Sequence, residues 1–435
     1  MTRLQPKLAA GASLVGTTIE YYDFFVYATA AALVFDKVFF PALGGLAGTI
    51  VSLSTFAVGF VVRPLGGVVI GHLGDKFGRR PMLIMTLTLM GVCTLLIGLL
   101  PGYQSIGVLA PILLIALRVL QGFALGGEFG GAVVLTVEHS PPQRRGFFGS
   151  FVQMGGPLAL VLSSLVFIPL YTLPDEQFLS WGWRVPFLVS AVLVGVGYLV
   201  RRAVTESPTF AEAKRAGDVH GAPALAVIRR HPLLIVAIAG TTLVGGVGFY
   251  VMAVFGLSYG TETVGFSHDT ILLIVMLSFV LDCAFVFAAG VISDRIGRPR
   301  LMLAGMLGMG VLAFPWLWLL SSGNAWLAFL GYVVMCVPHA AIQGVAGVFM
   351  SEVFPVEVRY SGLSIGYTIG MLCGSAIAPM VATALVATAG VAALGWYLVA
   401  MCVLSTVSVL AIMRSGVAVR DGVDGRARPA SESVS

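Results

Sequence analysis

Apolar residues run along this chain in long blocks without a regular polar face, and short clusters of charge, Gly and Pro separate them. A helix that crosses a bilayer takes about 20 such residues. On that rule the pattern predicts twelve spans. The first six fall at 9–35, 46–73, 82–100, 108–136, 146–171 and 183–202. The second six fall at 232–258, 269–292, 301–320, 325–350, 361–388 and 391–413. The longest polar stretch between spans is 203–231, which divides the chain into six-helix bundles at 1–202 and 232–414, with a tail at 415–435. Within the divide, Ser207-Pro208 followed by TFAEAKR predicts a short helix, read as a linker. The tail has the composition of an unstructured segment. The fold class is therefore all-α and integral to a membrane.

The most distinctive loop occurs twice. Residues 71–83 read GHLGDKFGRRPML and 290–301 read GVISDRIGRPRL, so Asp75, Gly78 and Arg79 return as Asp294, Gly297 and Arg298, each 219 positions later. A second echo pairs Glu138, Pro141 and Arg144 with Glu352, Pro355 and Arg359. Two copies of one unit explain both. In the first copy Gly71 opens the string, Asp75 offers a carboxylate to backbone N–H groups, Gly78 permits a reversal, and Arg79 and Arg80 supply fixed positive charge.

Composition narrows the class. Hydrophobic residues reach 58% and charged residues only 10%, which leaves no room for an ordinary soluble domain. The net charge of +5 would suit a nucleic-acid binder, yet the basic residues sit in short loops. All but Lys37, Arg63, Arg118 and Arg184 fall on the side that also holds both termini, which the positive-inside rule makes cytoplasmic. Five cysteines lie in apolar runs without CxxC spacing and read as reduced packing residues. The first apolar run is interrupted by Glu20 and Asp23 and continues to Phe35, which fits a retained helix better than a cleaved leader. No His/Asp/Glu grouping has ligand spacing, and no nucleophile–base set appears, so neither a metal, a cofactor nor an enzyme is expected.

The paired loops resemble the signature loops of the major facilitator superfamily, and RVLQGFALGGE from Arg118 resembles the Arg-x-x-Gln-Gly motif of its proton-linked members. Further stretches look like the metabolite:proton symporter subfamily: IEYYDFFVY, RPLGGVVIGHLGD, GGEFGGA, WGWRVPF and ESPTF. The resemblance covers about Gly11 to Ala411 and is closest to shikimate and related organic-acid carriers. It implies two six-helix bundles in a bacterial inner membrane that move by alternating access. The betaine carriers' long C-terminal coiled coil is not in this sequence, which argues against that branch. In the fifth span Gly155-Gly156-Pro157 is followed by LALV, and Val152 stands where antiporters carry glycine, which argues against export.

Ionisable groups at mid-membrane cost several kcal/mol and are functional candidates. Glu20 and Asp23 lie three apart on one face near mid-depth, with Tyr27 a turn beyond Asp23. A carboxylate that is expensive to keep charged accepts a proton readily, so Asp23, then Glu20, is the expected coupling site; the alternative is a structural hydrogen bond to Tyr22 or Tyr27. Arg118 grips carboxylates bidentately and is expected to exchange Asp23 or Glu20 for a substrate carboxylate; the alternative is a permanent pair with the first span. Tyr22, Tyr27, Gln121, Asp282 and Gln343 are the other candidate substrate contacts, His339 is a possible proton relay, and Arg63 and Glu128 are expected to form a buried pair. The signature loops, with Glu138 and Arg144, would latch the cytoplasmic side.

The reading is proton symport of a small organic acid: shikimate-like, dicarboxylate or aromatic. Its partners are a small carboxylate, protons and the lipid bilayer, with no nucleic acid, in a monomer. The alternatives are a proline or betaine symporter or an efflux carrier of the same fold, and, outside transport, a transport-like membrane sensor.

Overall fold

A computed structural model describes residues 4–216 and 221–415. The tail from residue 416 on, with Arg420, Arg426 and Arg428, and the N-terminal Arg3 lie outside the described residues. No strand occurs among the described residues. The long helices of the first half are α1 (Gln5–Leu33), α2 (Gly45–Phe77), α3 (Arg79–Leu99), α4 (Leu109–His139), α5 (Arg145–Phe167) and α6 (Val185–Ala203). Those of the second are α7 (Pro232–Tyr250), α8 (His268–Ile296), α9 (Arg298–Leu320), α10 (Ala325–Val353), α11 (Arg359–Gly370) and α12 (Val391–Arg414). α7 continues through π-turns at Val251–Phe255 and Gly260–Val264, and α11 through one at Met371–Ser375 into Ala378–Ala389. Two short helices, Pro208–Ala216 and Pro223–Arg230, connect α6 to α7.

Eleven of the long helices are apolar enough over enough length to cross a bilayer. α1 is the twelfth; Lys7, Glu20 and Asp23 thin its apolar run, but its 29 residues reach roughly 43 Å. Lipid exposure accounts for side chains such as Leu233, Trp318 and Trp326, which are 82%, 74% and 79% exposed and would be a liability in water. Four of the cysteines are buried and Cys373 is exposed, and all five are free.

The helices run further than the hydrophobic pattern suggests. The segment 74–81, expected as a loop, shrinks to Gly78, which alone separates α2 from α3; Gly297 alone separates α8 from α9. Their φ angles of 124° and 92° explain the choice of glycine at both breaks. Polar residues prolong the helices past the apolar run because Asp75–Arg79 and Asp294–Arg298 each close an ion pair at i, i+4 across the break.

α1–α6 and α7–α12 form two bundles that meet along α5 with α8 and along α2 with α11. Within the first bundle, α2 and α4 approach at Gly126, where an added Cβ would lie 2.2 Å from the Arg63 carbonyl oxygen and 2.5 Å from the Gly67 nitrogen. Backbone cannot yield as a side chain can. Gly126→Val is therefore expected to force α2 from α4 and cost about 2–3 kcal/mol, read as a lower melting temperature in detergent.

Candidate functional site

Both signature loops lie on the face that holds the described ends of the chain and most basic side chains, called the basic face here. Each carries an aspartate that reaches across to the other bundle. The Asp75 carboxylate accepts from the Tyr360 and Ser361 backbone nitrogens at 3.2 and 2.8 Å and from the Ser361 hydroxyl at 2.8 Å, so it caps the start of α11. Asp294 accepts from the Gly146 and Phe147 nitrogens, both at 2.8 Å, and caps the start of α5. A carboxylate at a helix N-terminus satisfies orphan N–H groups and favours the helix dipole.

Arginines complete each half. Arg79, fully buried, faces Asp75 at 3.2 Å and Glu138 at 3.4 Å, and donates to the Val356 carbonyl at 2.9 Å. Glu138 also meets Arg359 of α11 at 3.1 Å. In the mirror arrangement Arg298 faces Asp294 at 3.2 Å and Glu352 at 3.6 Å, and Glu352 meets Arg145 of α5 at 3.3 Å. Arg144, the expected counterpart of Arg359, is instead exposed. The neighbouring Arg145 takes its place because it stands seven residues after Glu138, as Arg359 does after Glu352. Gly71 brings α2 against the α11 backbone at Ser361. The connecting segment takes part as well: Glu206 accepts from the Arg79 and Arg80 nitrogens, Ser207 donates to Glu138, Phe210 lies 4.5 Å from the Arg79 guanidinium, and Arg80 donates to the Arg202 carbonyl.

Deeper in the first bundle, Asp23 is 1% exposed and accepts from Thr94 of α3 at 2.7 Å and from Ser190 of α6. Gln121 donates to Thr94 at 2.7 Å, and Arg118 donates to Gln121 at 3.2 Å. The expected contact between Arg118 and Asp23 is thus a relay in which two side chains intervene, and among the described residues no hydrogen bond or ion pair joins Arg118 to Glu20. The guanidinium sits 4.1 Å above the Tyr27 ring and 5.3 Å from Phe24 and Phe56, a cage that holds it by cation–π attraction away from the carboxylate. Neither tyrosine bonds Asp23: Tyr22 donates to the Pro186 carbonyl and Tyr27 to Thr55.

The expected Arg63–Glu128 pair does not form. Glu128 takes a two-pronged contact from Arg201, the last turn of α6, and a hydrogen bond from Thr86. Arg201 had the look of a loop charge, yet it is 3% exposed, packed against Gly16 of α1. Arg63 lies instead 4.6 and 4.9 Å from the Phe60 and Phe24 rings and has no hydrogen bond or ion pair among the described residues. Glu20 keeps one buried oxygen, Oε2, without a partner. Glu128→Gln would leave Arg201 a buried cation without a counter-charge, and the expected result is a loss of about 2–3 kcal/mol, measured as thermal stability in detergent.

Two cavities lie between the bundles. A closed one of about 30 Å³, room for roughly one water, is lined by Thr17 and Tyr21 of α1, Tyr250 of α7, Asp282 of α8, and His339 and Gln343 of α10. His339 Nδ1 stands 3.1 Å from Asp282 Oδ1. The other, about 630 Å³, lies toward the opposite face among Phe25, Thr29, Lys37, Ser163, His268 and Asp269. Phe25 on its wall and Phe249 on the wall of the closed cavity stand 6.1 Å apart, between the two spaces. Of the expected substrate contacts, Asp282 and Gln343 reach the closed cavity, whereas Arg118, Gln121, Tyr22 and Tyr27 do not line it. Tyr21, hydrogen-bonded at 3.1 Å to Tyr367, lines it in addition to the residues the sequence points to.

Residues 8–239 match the family profile "Sugar (and other) transporter" and residues 252–432 match "Major Facilitator Superfamily". The chain is 39% identical to the inner membrane metabolite transport protein YhjE of Escherichia coli K12, with 92% of each chain covered. It is 37% identical to the shikimate transporter of the same strain, over 93% of this chain and 94% of that one. A proline/betaine transporter of Salmonella typhimurium is 34% identical over 84% and 75%. Among solved structures, the proton:xylose symporter XylE bound to 6-bromo-6-deoxy-D-glucose superposes with a TM-score of 0.78 at 17% identity, covering 95% and 96% of the two chains. The inward open conformation of XylE from E. coli superposes with a TM-score of 0.63 at 17% identity, covering 93% and 95%.

Proposed function

The chain belongs to the major facilitator superfamily, as a membrane transporter and not an enzyme, and from that premise we propose that it imports a small organic acid together with one or more protons. The observation that carries the proposal is the relay from Arg118 through Gln121 and Thr94 to Asp23, a buried cation and a buried carboxylate joined but not neutralised in direct contact. Asp23 is the proton site, with Glu20 and His339 as further acceptors. A proton on Asp23 removes the charge toward which Thr94, Gln121 and Arg118 all donate, and frees the guanidinium to hold a substrate carboxylate. Asp282 and Gln343 contact the cargo from the second bundle; Tyr22 and Tyr27 act through packing.

The basic face is cytoplasmic, with both termini there, and the membrane is the bacterial inner membrane. The bundles are 1–202 and 232–414, joined by 203–231, and one chain suffices as a monomer. The crossed aspartates and their arginines close the cytoplasmic side while the 630 Å³ space faces the periplasm. Alternating access then consists in opening one closure as the other forms. The relative named for shikimate transport supports an acid as cargo, and the one named for proline and betaine favours a zwitterion as the second reading.

The test is uptake by cells expressing the protein, offered labelled shikimate, 2-oxoglutarate, citrate, a benzoate-type acid and betaine, with and without a protonophore. Saturable uptake of an acid that collapses with the protonophore is expected. Uptake of betaine alone would select the zwitterion reading, and uptake indifferent to the gradient would exclude proton symport.

A further inference from the structure

We infer that the closed central cavity recognises hydroxyl groups on the cargo, with Asp282 and His339 as the specificity-determining pair, so that the transported acid is a hydroxylated carboxylate. The inference rests on the reading of the chain as an acid carrier and narrows it. Four polar atoms of the cavity wall are buried without any hydrogen-bond partner: Thr17 Oγ1, Tyr250 Oη, Asp282 Oδ2 and His339 Nε2. Buried polar atoms in folded proteins are nearly always partnered, and four orphans around one space point to groups that arrive with a ligand. The pair is also built. Asp282 and His339 are 0% and 1% exposed, and the 3.1 Å contact between Oδ1 and Nδ1 commits one atom of each residue to the other, leaving the second atom of each for a third group.

The chemistry of the wall selects among acids. One carboxylate oxygen, one imidazole nitrogen, two hydroxyls and the Gln343 amide form a mixed set of donors and acceptors, which hydroxyl groups satisfy because each both donates and accepts. A bare carboxylate would meet Asp282 as a like charge. The methyl groups of a betaine would leave all four atoms unpaired, although the neighbouring aromatic rings would tolerate them. The carboxylate end of the cargo finds Arg118 on the first bundle, and Arg63, at the same Phe24 ring, is a second cation beside the cavity wall. Arg63 lacks any acceptor among the described residues, and the Phe24 and Phe60 rings that carry it stand 6.2 Å from Tyr250 of the cavity wall.

The experiment is a binding titration of the purified full-length protein in detergent, followed by intrinsic tryptophan fluorescence, with quinate, shikimate, cyclohexanecarboxylate, 2-oxoglutarate and betaine. Quinate and cyclohexanecarboxylate share ring and carboxylate and differ only in hydroxyls. The hydroxylated acids are expected to bind at least about tenfold more tightly than cyclohexanecarboxylate, since a site built to bond hydroxyls rejects analogues that lack them. Asp282→Asn is expected to shrink that ratio to about twofold, because the hydroxylated acids lose their carboxylate partner while every acid is spared the like charge. Equal binding of the hydroxylated and plain acids by the wild-type protein would overturn the inference and leave the acid carrier standing. Betaine binding in preference to every acid would overturn the acid carrier itself. The wild-type comparison decides even if the variant does not fold.

Discussion

Asp23→Asn is expected to lower proton-driven uptake by at least about 100-fold, while exchange of labelled for unlabelled substrate stays within about threefold of wild type. Asparagine keeps the shape of the side chain, an oxygen for one of the Thr94 and Ser190 hydroxyls and an NH2 that donates to the other once that hydroxyl turns, so the helix contacts between α1, α3 and α6 persist. It lacks the proton that the carboxylate would carry. Binding and reorientation continue with a permanently neutral side chain, as in the protonated carrier, and the link to the gradient is lost. The two assays, uptake and exchange in proteoliposomes, separate this from a folding defect, which would depress both. If uptake survives, coupling lies elsewhere, with Glu20 first in line because its buried Oε2 has no partner.

Arg79→Ala should open the basic face. The wild-type guanidinium faces two buried carboxylates, Asp75 and Glu138, and holds the Val356 carbonyl of the other bundle. Removing one side of a buried charged network costs about 3–5 kcal/mol. That cost falls on the closed arrangement alone, since opening would return Asp75 and Glu138 to water. At about 1.4 kcal/mol per factor of ten, the closed-to-open ratio should fall roughly 10²- to 4 × 10³-fold. The readout is a cysteine placed at Met350, which is fully buried and lines the closed cavity. In a background without the native cysteines, its labelling by an impermeant maleimide in inside-out vesicles should rise strongly with Arg79→Ala. Unchanged labelling would mean that the crossed ion pairs do not hold this face shut.

The sequence shows the spans, the duplication and the signature loops because each is written in contrasts: apolar against charged, or one string against its copy. Arg145 was legible as well, since its spacing from Glu138 matches that of Arg359 from Glu352, but the adjacent Arg144 obscured it. Arg201 was not, because a double arginine after an apolar run looks the same whether it flanks the membrane or folds back to Glu128. Thr94 and Ser190, the bonding partners of Asp23, are single small polar residues among many. Tyr21 rather than Tyr22 reaches the cavity because of the rotation of α1, and a helix apolar nearly all round gives no sign of which face it turns where.

Asp75 completes a helix that belongs to the other half of the molecule, and Asp294 returns the service. Each half on its own would present one helix start with unanswered N–H groups and one buried aspartate with nothing to cap. After duplication, the ancestral unit and its copy thus became complementary fragments. The halves expressed as separate polypeptides should assemble on contact, and each without the other should be a target for proteolysis.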